Sequence, residues 1–433
     1  MQQNDLRQVL FLLFLTLVLV FLMGFWIATS AKAETPSANF LPNRLTWSAA
    51  DSEDEFDEDF PSRRWRRRDR WEPEVRYNRV EGVYLGMKLN RDRGRRWYPS
   101  RPTLYGFAGY AFAANDMQYQ IGLEKGFFDE FRLAFGGEYH HRITTPDLWI
   151  MPEEENSLAA FLIKEDFHDF YLTEGWSGYV TQNFTPALKI SAGYQTDELK
   201  HEDRHARWSL FGGKKRFREN PVMDEGRNNV VSGRLVIDTR NSVKRTTRGW
   251  YILVEAERAD DGLGGDFTYD RVVADLRRFQ PLGFGEGVDL RIRVGTGQGR
   301  LPWQKSYYLG GVSTLRGFRY KAFPNGWEEP GANRMVLAQL EYRLGREELP
   351  DMMDIGLLDN FNLILFTDAG WTANVDTTFG PTEGFKELSI GRLKHDVGIA
   401  LANRDGNVRF EVARRTDTSE KPYTFWFRIS RPF

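Results

Sequence analysis

The 433-residue chain contains no cysteine. Disulfide frameworks and thiolate nucleophiles are therefore excluded, and a chain without thiols suits export through an oxidising compartment. Neither sign of charge is in surplus: 59 Lys and Arg stand against 61 Asp and Glu, a formal net charge of −2, so no nucleic-acid partner is expected. Histidine is scarce, at 6 residues. After the N-terminus no segment approaches ~18 consecutive apolar residues, so a mature membrane protein of this sequence could not span with helices. What the chain has in quantity is aromatic side chain: 13 Trp, 17 Tyr and 32 Phe, 14% of the whole. Aromatic girdles at the two faces of a membrane barrel would account for that content, with an aromatic-rich soluble β-sandwich as the alternative.

Residues 1–33 have the layout of an export signal, with Arg7 near the start, an apolar run from Val9 to Ile27, and Ala31-Lys32-Ala33 as a small-x-small cleavage site. Cleavage would leave Glu34 first, while the length of the apolar run keeps an uncleaved inner-membrane anchor open. Residues 34–74 carry an acidic run, Asp51 to Asp59, and then Arg63-Arg64-Trp65-Arg66-Arg67-Arg68. Blocks of like charge do not pack, so this reads as a flexible periplasmic linker. Its basic, tryptophan-bearing end either meets anionic inner-leaflet headgroups or is simply solvated.

From residue 75 to 433 the pattern is period-two alternation broken by turns rich in Gly, Asn, Asp and Pro. In Val288-Asp289-Leu290-Arg291-Ile292-Arg293-Val294 one face is aliphatic and the other charged. Val336, Ala338, Leu340 and Tyr342 likewise oppose Gln339, Glu341 and Arg343, and Val408, Phe410 and Val412 oppose Arg409, Glu411 and Arg415. Apolar outward and charged inward on successive strands is what lipid outside and a wet lumen require, and only a closed barrel lets strands satisfy every backbone group in lipid. The fold expected is all-β: a transmembrane antiparallel β-barrel of 16 strands with a long loop folded into the lumen. Counting back from Phe433 with alternating long and short connections places five strands after the loop near 300–333 and calls for eleven before it. Ten of those are plain. The eleventh is either hidden in residues 60–89, splitting at Gly82, or one long loop is periplasmic. Pro152 to Leu172, with Leu158, Phe161, Leu162 and Glu165 at helical spacing, is expected to form a short amphipathic helix in an external loop.

The long loop carries Gly310-Gly311-Val312-Ser313-Thr314-Leu315-Arg316-Gly317-Phe318. An arginine between a bulky apolar residue and Gly-Phe must meet solvent or fixed carboxylates. Glu341 in Leu340-Glu341-Tyr342-Arg343 and Asp368 in Phe366-Thr367-Asp368-Ala369-Gly370 lie on inward-reading positions and are its expected partners. A guanidinium offers a planar fork that two carboxylates can share.

The glycine pair followed by Leu315-Arg316-Gly317-Phe318, then Glu341, then Phe366 to Gly370, then a last strand ending in phenylalanine, resembles the BamA/TamA family of outer-membrane assembly and translocation barrels, the bacterial surface antigen group. The likeness is close over 228–433, where Asp238-Thr239-Arg240 and Arg248-Gly249-Trp250 match a turn between middle strands, and general over 75–227. The resemblance implies a bacterial outer-membrane location and sixteen strands, with Arg316 held inside by Glu341 and Asp368. It also implies a weak seam between first and last strands at which client strands add by β-augmentation. Phe425, Phe427, Ile429 and the terminal Phe433, read on the apolar face, match the family's signal for its own insertion by the outer-membrane assembly machinery. Outer-membrane lipids and unfolded outer-membrane or secreted polypeptides are the implied partners, with no enzymatic activity, cofactor or metal. Family members usually carry soluble POTRA domains ahead of the barrel. Residues 34–74 are too few and too charged to hold one, so a short member made of the barrel alone is expected. A passive pore and a structural surface-antigen barrel are the alternatives.

His201-Glu202-Asp203-Arg204-His205 matches a zinc-protease pattern, but in a charged loop without a third ligand it reads as chance. Gly295-Thr296-Gly297-Gln298-Gly299 ends a strand and is not followed by a helix, so it is no phosphate cradle. A membrane lipase built from Ser, His and a polar orienter is not supported by any motif. Asp166, Asp169 and Tyr171 are expected to serve surface solvation or helix capping.

Overall fold

A computed structural model describes residues 71–433 except 91–101, 128–132, 244, 284–285, 345–360, 404–405 and 418–421. The expected signal (1–33), most of the linker and the connection near 345–360 lie outside the described residues. Among the described residues, one antiparallel sheet of sixteen strands, each paired with its neighbours in chain order, forms the framework. The strands are β1 (Trp71–Asn78), β2 (Gly82–Leu89), β3 (Thr103–Ala111), β4 (Asp116–Phe127), β5 (Leu133–Thr144), β6 (Tyr171–Asn183), β7 (Leu188–His201), β8 (Gly226–Asp238), β9 (Gly249–Ala259), β10 (Tyr269–Gly283), β11 (Glu286–Gly299), β12 (Arg334–Leu344), β13 (Phe361–Ala373), β14 (Lys394–Asn403), β15 (Arg409–Arg415) and β16 (Tyr423–Arg428). Eleven precede the Arg316 loop and five follow it. The eleventh is indeed hidden at the front of the barrel: β1 and β2 split at Gly82, whose φ of +65° makes the turn. β1 opens at Trp71, inside the range read as linker, because Trp71, Pro73 and Val75 already keep the outward alternation of a strand.

Burial follows the alternation with the sign expected of a membrane barrel. On β11, Asp289, Arg291 and Arg293 are buried while Val288, Leu290, Ile292 and Val294 are more exposed. Outward Val75, Ile121, Phe135 and Val397 stand among many exposed large apolar side chains, a surface that lipid solvates and water would penalise. The inside is filled by loops. Leu309, Leu315 and Phe318 of the loop between β11 and β12 pack on Val273, Met335 and Leu337 of the wall. Helix α1 (Glu153–Ile163) sits in the loop between β5 and β6. It is shorter than expected: Lys164 adopts a left-handed conformation and its N–H turns back to Ala160, so Glu165 falls outside the helix.

The ladder does not close. Among the described residues no pairing joins β16 to β1, and both strands present a free edge.

Candidate functional site in the lumen and at the strand gap

The loop between β11 and β12 turns inward on its glycines. Gly310 and Gly311 have φ of +122° and +83°, and a Cβ on Gly311 would lie 2.8 Å from the Tyr320 backbone. Leu315 and Phe318 anchor the turn in apolar contacts, leaving Arg316 between them fully buried. Its Nε and Nη2 donate to the two oxygens of Asp368 at 2.7 and 2.8 Å, and Nη1 donates to Glu341 at 2.6 Å and to Glu411 at 3.3 Å. The guanidinium lies 3.5 Å from the centre of the Phe366 ring. Gly370 makes room for the loop, since a Cβ there would come within 2.8 Å of Leu309. The Gly317 N–H donates to Asp396 on β14 at 2.8 Å, and a Cβ on Gly317 would lie 2.6 Å from the Asp396 Cβ.

Sequence reasoning missed how far this site extends. Glu411 and Arg409 of β15 belong to it, with Arg409 donating to Glu341 at 2.9 Å. The carbonyl of Arg316 accepts from Thr424 Oγ1 at 2.6 Å and Trp426 Nε1 at 2.8 Å, both on β16. One loop residue thus touches β12, β13, β15 and β16, and its neighbour Gly317 touches β14. The available signal was parity: Glu411, Thr424 and Trp426 all occupy inward positions. Buried carboxylates around a guanidinium are stable only as a set, because removal of one partner leaves the rest uncompensated.

A second buried network overturns the surface reading of Asp166, Asp169 and Tyr171. Asp166 and Asp169 are 4% and 1% exposed, and Tyr171 is buried at the start of β6 beside Leu199 and Tyr269. Arg79, in the turn between β1 and β2, meets Asp166 at 3.0 Å and Asp169 at 3.1 Å. Lys321 of the Arg316 loop contacts Asp147 at 2.8 Å and Asp169 at 2.6 Å, and Arg218 reaches Asp169 at 2.5 Å. Three loops and the first turn are tied by these charges. Burial alone would raise the Asp169 carboxyl, but Arg218, Lys321 and Arg79 hold it well below the usual carboxylate range. Burial also lowers the neighbouring His168 below its ordinary value, against the raising effect of Asp147 and Asp166. Local spacing could not show this network, because the partners come from segments far apart in the chain.

At the gap between the edge strands, α1 stands where a strand would otherwise pair. The backbone N–H of Tyr77, on the free edge of β1, donates to Ser157 Oγ at 2.7 Å. Glu155 accepts from Arg428 Nε at 2.6 Å, from the Ile429 N–H at 3.2 Å, and from the Ser430 hydroxyl. The same helix therefore holds both edges through side chains. Tyr77 shares the outward face with Val75 and with Val83 opposite it. It is nonetheless buried, with the Phe161 ring 5.7 Å away edge-on and its hydroxyl donating to the Trp208 carbonyl at 2.5 Å. α1 begins among lumenal charges and ends on the outer side of β1, so it crosses the gap.

The last residues differ from expectation. Phe425 and Phe427 point outward and are 63% and 66% exposed. Phe433 is not on that face: its ring packs 6.5 Å from Phe279 on the lumenal side of β10, the Pro432 carbonyl accepts from Arg291 at 3.4 Å, and Arg431 donates to the Thr246 carbonyl at 2.7 Å. The reason is loss of a partner. The β15 ladder ends with Arg409 opposite Arg428, so residues 429–433 have no strand to pair with, and Glu155 and Arg291 draw the tail inside.

The histidine motif does not lie on a helix. His201 ends β7, residues 202–208 are not helical, and the His205 N–H is used by the Arg79 carbonyl at 3.0 Å. Gly295, Gly297 and Gly299 lie at the end of β11, where a Cβ on Gly295 would strike the Tyr307 ring.

This sixteen-strand order, with an arginine loop bound inside the last five strands, agrees with comparison to known families. Residues 160–433 match the Omp85 superfamily domain. The chain belongs to the Omp85 superfamily. Within it, the outer membrane protein assembly factor BamA of Nitratidesulfovibrio vulgaris is 27% identical over 206 residues, covering 44% of this chain and 26% of that protein. The chain therefore spans about a quarter of the length of that relative. The crystal structure of BamA from Haemophilus ducreyi lacking POTRA domains 1–3 matches the fold with a TM-score of 0.51 at 16% identity, over 81% of this chain and 69% of that one. CdiB from Acinetobacter baumannii matches at a TM-score of 0.38 and 12% identity, over 82% and 58% of the two chains. This Omp85 protein is an outer-membrane barrel of the BamA/TamA type, placed by that kinship in the bacterial outer membrane.

Proposed function

We propose that this Omp85 barrel assists insertion or translocation of polypeptides at the outer membrane through the gap between β1 and β16, with local disturbance of the lipid and no covalent chemistry. The observation that carries the reading is that, among the described residues, β1 pairs only with β2 and β16 only with β15, while side chains of α1 bond to the edges that face each other across the gap. A free edge is a template for another strand, and main-chain pairing supplies affinity without demanding a particular client sequence. The Arg316 site supports the same reading. By binding β12 to β16 as one unit it concentrates opening at the gap rather than between neighbouring strands. Unfolded outer-membrane or secreted polypeptides are the proposed clients, with outer-membrane lipids at the gap. Export by residues 1–33 and recognition of Phe425, Phe427, Ile429 and Phe433 by an assembly machinery would precede the folded state, in which Phe433 is lumenal. The pore alternative fits less well, because loops carrying fully buried Arg79, Leu315 and Arg316 occupy the lumen.

The test is the folding rate of a small unfolded outer-membrane protein in liposomes that contain the refolded barrel. Acceleration over empty liposomes is expected, and its reduction in Arg316→Ala. No acceleration from a barrel shown to be folded would remove autonomous insertion. Large stable conductance of the unaltered barrel would favour the pore.

A further inference from the structure

The loop between β7 and β8 runs back over the outer end of α1. Its Leu210 and Phe211 N–H groups donate to the carbonyls of Phe161 and Leu162, both at 2.8 Å, and Trp208 packs edge-on against Phe161 at 5.4 Å. The combined surface shows Leu158, Phe161, Ile163, Trp208, Leu210 and Phe211, with Phe211 72% exposed. Such a contiguous apolar surface is a binding feature rather than ordinary exterior. Its position decides the occupant. It covers Tyr77 on the row that includes Val75 and Val83, so it stands outside the sheet wall and continues the lipid-facing belt at the external end of β1. Immediately after it come Lys214, Lys215 and Arg216, all exposed. Lys215 is partly neutralised by Glu165, whereas Lys214 and Arg216 face solvent. The finger has a fixed base: Lys164 Nζ donates to the Gly213 and Lys215 carbonyls at 3.0 and 2.8 Å.

We infer that the outer end of α1 and residues 208–216 form a membrane-binding surface for anionic lipid headgroups beside the gap, with the aromatic and aliphatic side chains in the interface and Lys214 and Arg216 on headgroup phosphates. Tryptophan and phenylalanine next to basic residues suit this interface, where one side is apolar and the other is wet and negative. The binding would hold lipid at the outer mouth of the gap and fix α1 across it. The inference rests on the outer-membrane location but not on the polypeptide-assisting role, so a barrel that accelerates no folding would leave it intact.

The absence of cysteine makes the test direct. Phe211→Cys carries an environment-sensitive fluorophore, with Asp261→Cys in the exposed loop between β9 and β10 as reference. Each barrel is refolded in phosphatidylcholine vesicles with and without phosphatidylglycerol, and folding is checked by heat-modifiable mobility. The expected result is that phosphatidylglycerol shields the label at 211 from acrylamide and brings it within reach of brominated acyl chains, while the label at 261 stays accessible. Lys214→Gln with Arg216→Gln should weaken the phosphatidylglycerol response by about fivefold per charge removed. Equal acrylamide quenching at 211 and 261 in both lipids would overturn the inference. So would shielding at 211 that is independent of phosphatidylglycerol and of the substitutions.

Discussion

The Arg316 guanidinium satisfies Asp368 with two bonds and Glu341 with one, and the Arg316 carbonyl accepts two bonds from β16. Arg316→Ala should therefore cost about 3–5 kcal/mol, since buried Asp368 would lose its guanidinium and Glu341 and Glu411 would be left to share Arg409. Arg316→Lys should recover only part of this, because an ammonium cannot replace the planar fork. Denaturant midpoints of the refolded barrel would measure both. The second network sets a pH dependence. Asp169 and His168 are both lowered by the fold, so this pair binds fewer protons in the folded chain than in the unfolded one, and its contribution to stability falls as pH falls. Loss should begin as pH drops below the ordinary histidine value of 6.5 and continue below the ordinary aspartate value of 3.8. A denaturation series between pH 8 and 4 should show the midpoint declining most on the acidic side of ~6.5. Glu341 and Asp368 could be read from inward parity downstream of the arginine in the glycine-rich loop motif. Glu411 had the same parity but no motif to single it out. Asp166 and Asp169 were hidden because their cations, Arg79, Arg218 and Lys321, come from three other segments.

Among elements, α1 and β16 depart furthest from sequence expectation. The periodicity of Leu158, Phe161 and Leu162 pointed to a helix but also suggested one long enough to include Glu165. The left-handed Lys164 ends it sooner, and the apolar side chains face outward instead of packing on a core. That outward face makes sense only once the helix is seen to cross between two strands at opposite ends of the chain, a contact that no local pattern encodes. The tail shows the same dependence on tertiary context: alternation continues through Phe433 in sequence, but the ladder that would keep it outside stops at Arg428. Glu155 is the hinge of this arrangement, with Arg428, Ile429 and Ser430 all bonded to it. Glu155→Gln weakens the charge-assisted bonds to all three residues together, so the tail should loosen while the rest of the sheet persists. The reactivity of Ser430→Cys toward maleimide should rise on the order of tenfold in that background. An unchanged rate would show that the tail is held by Arg291 and Thr246 alone.

For the whole molecule, the architecture was the most legible part. Period-two alternation with charge on the inner face, loop lengths and the final five strands together specified the barrel and its strand number, because lipid outside imposes one rule on every strand. Closure was not legible: whether β16 reaches β1 depends on where the ladder runs out and on what stands between them. The account turns on that gap being the place where another chain is received. The most direct measurement is site-specific crosslinking during client folding in liposomes, with a photoreactive or thiol probe at Val75 on β1, at Phe427 on β16, and at Val231 in the outward row of β8, each through a single introduced cysteine. The account predicts client adducts at 75 and 427 and none above background at 231. Equal yields at all three positions, or adducts at 231 alone, would contradict it.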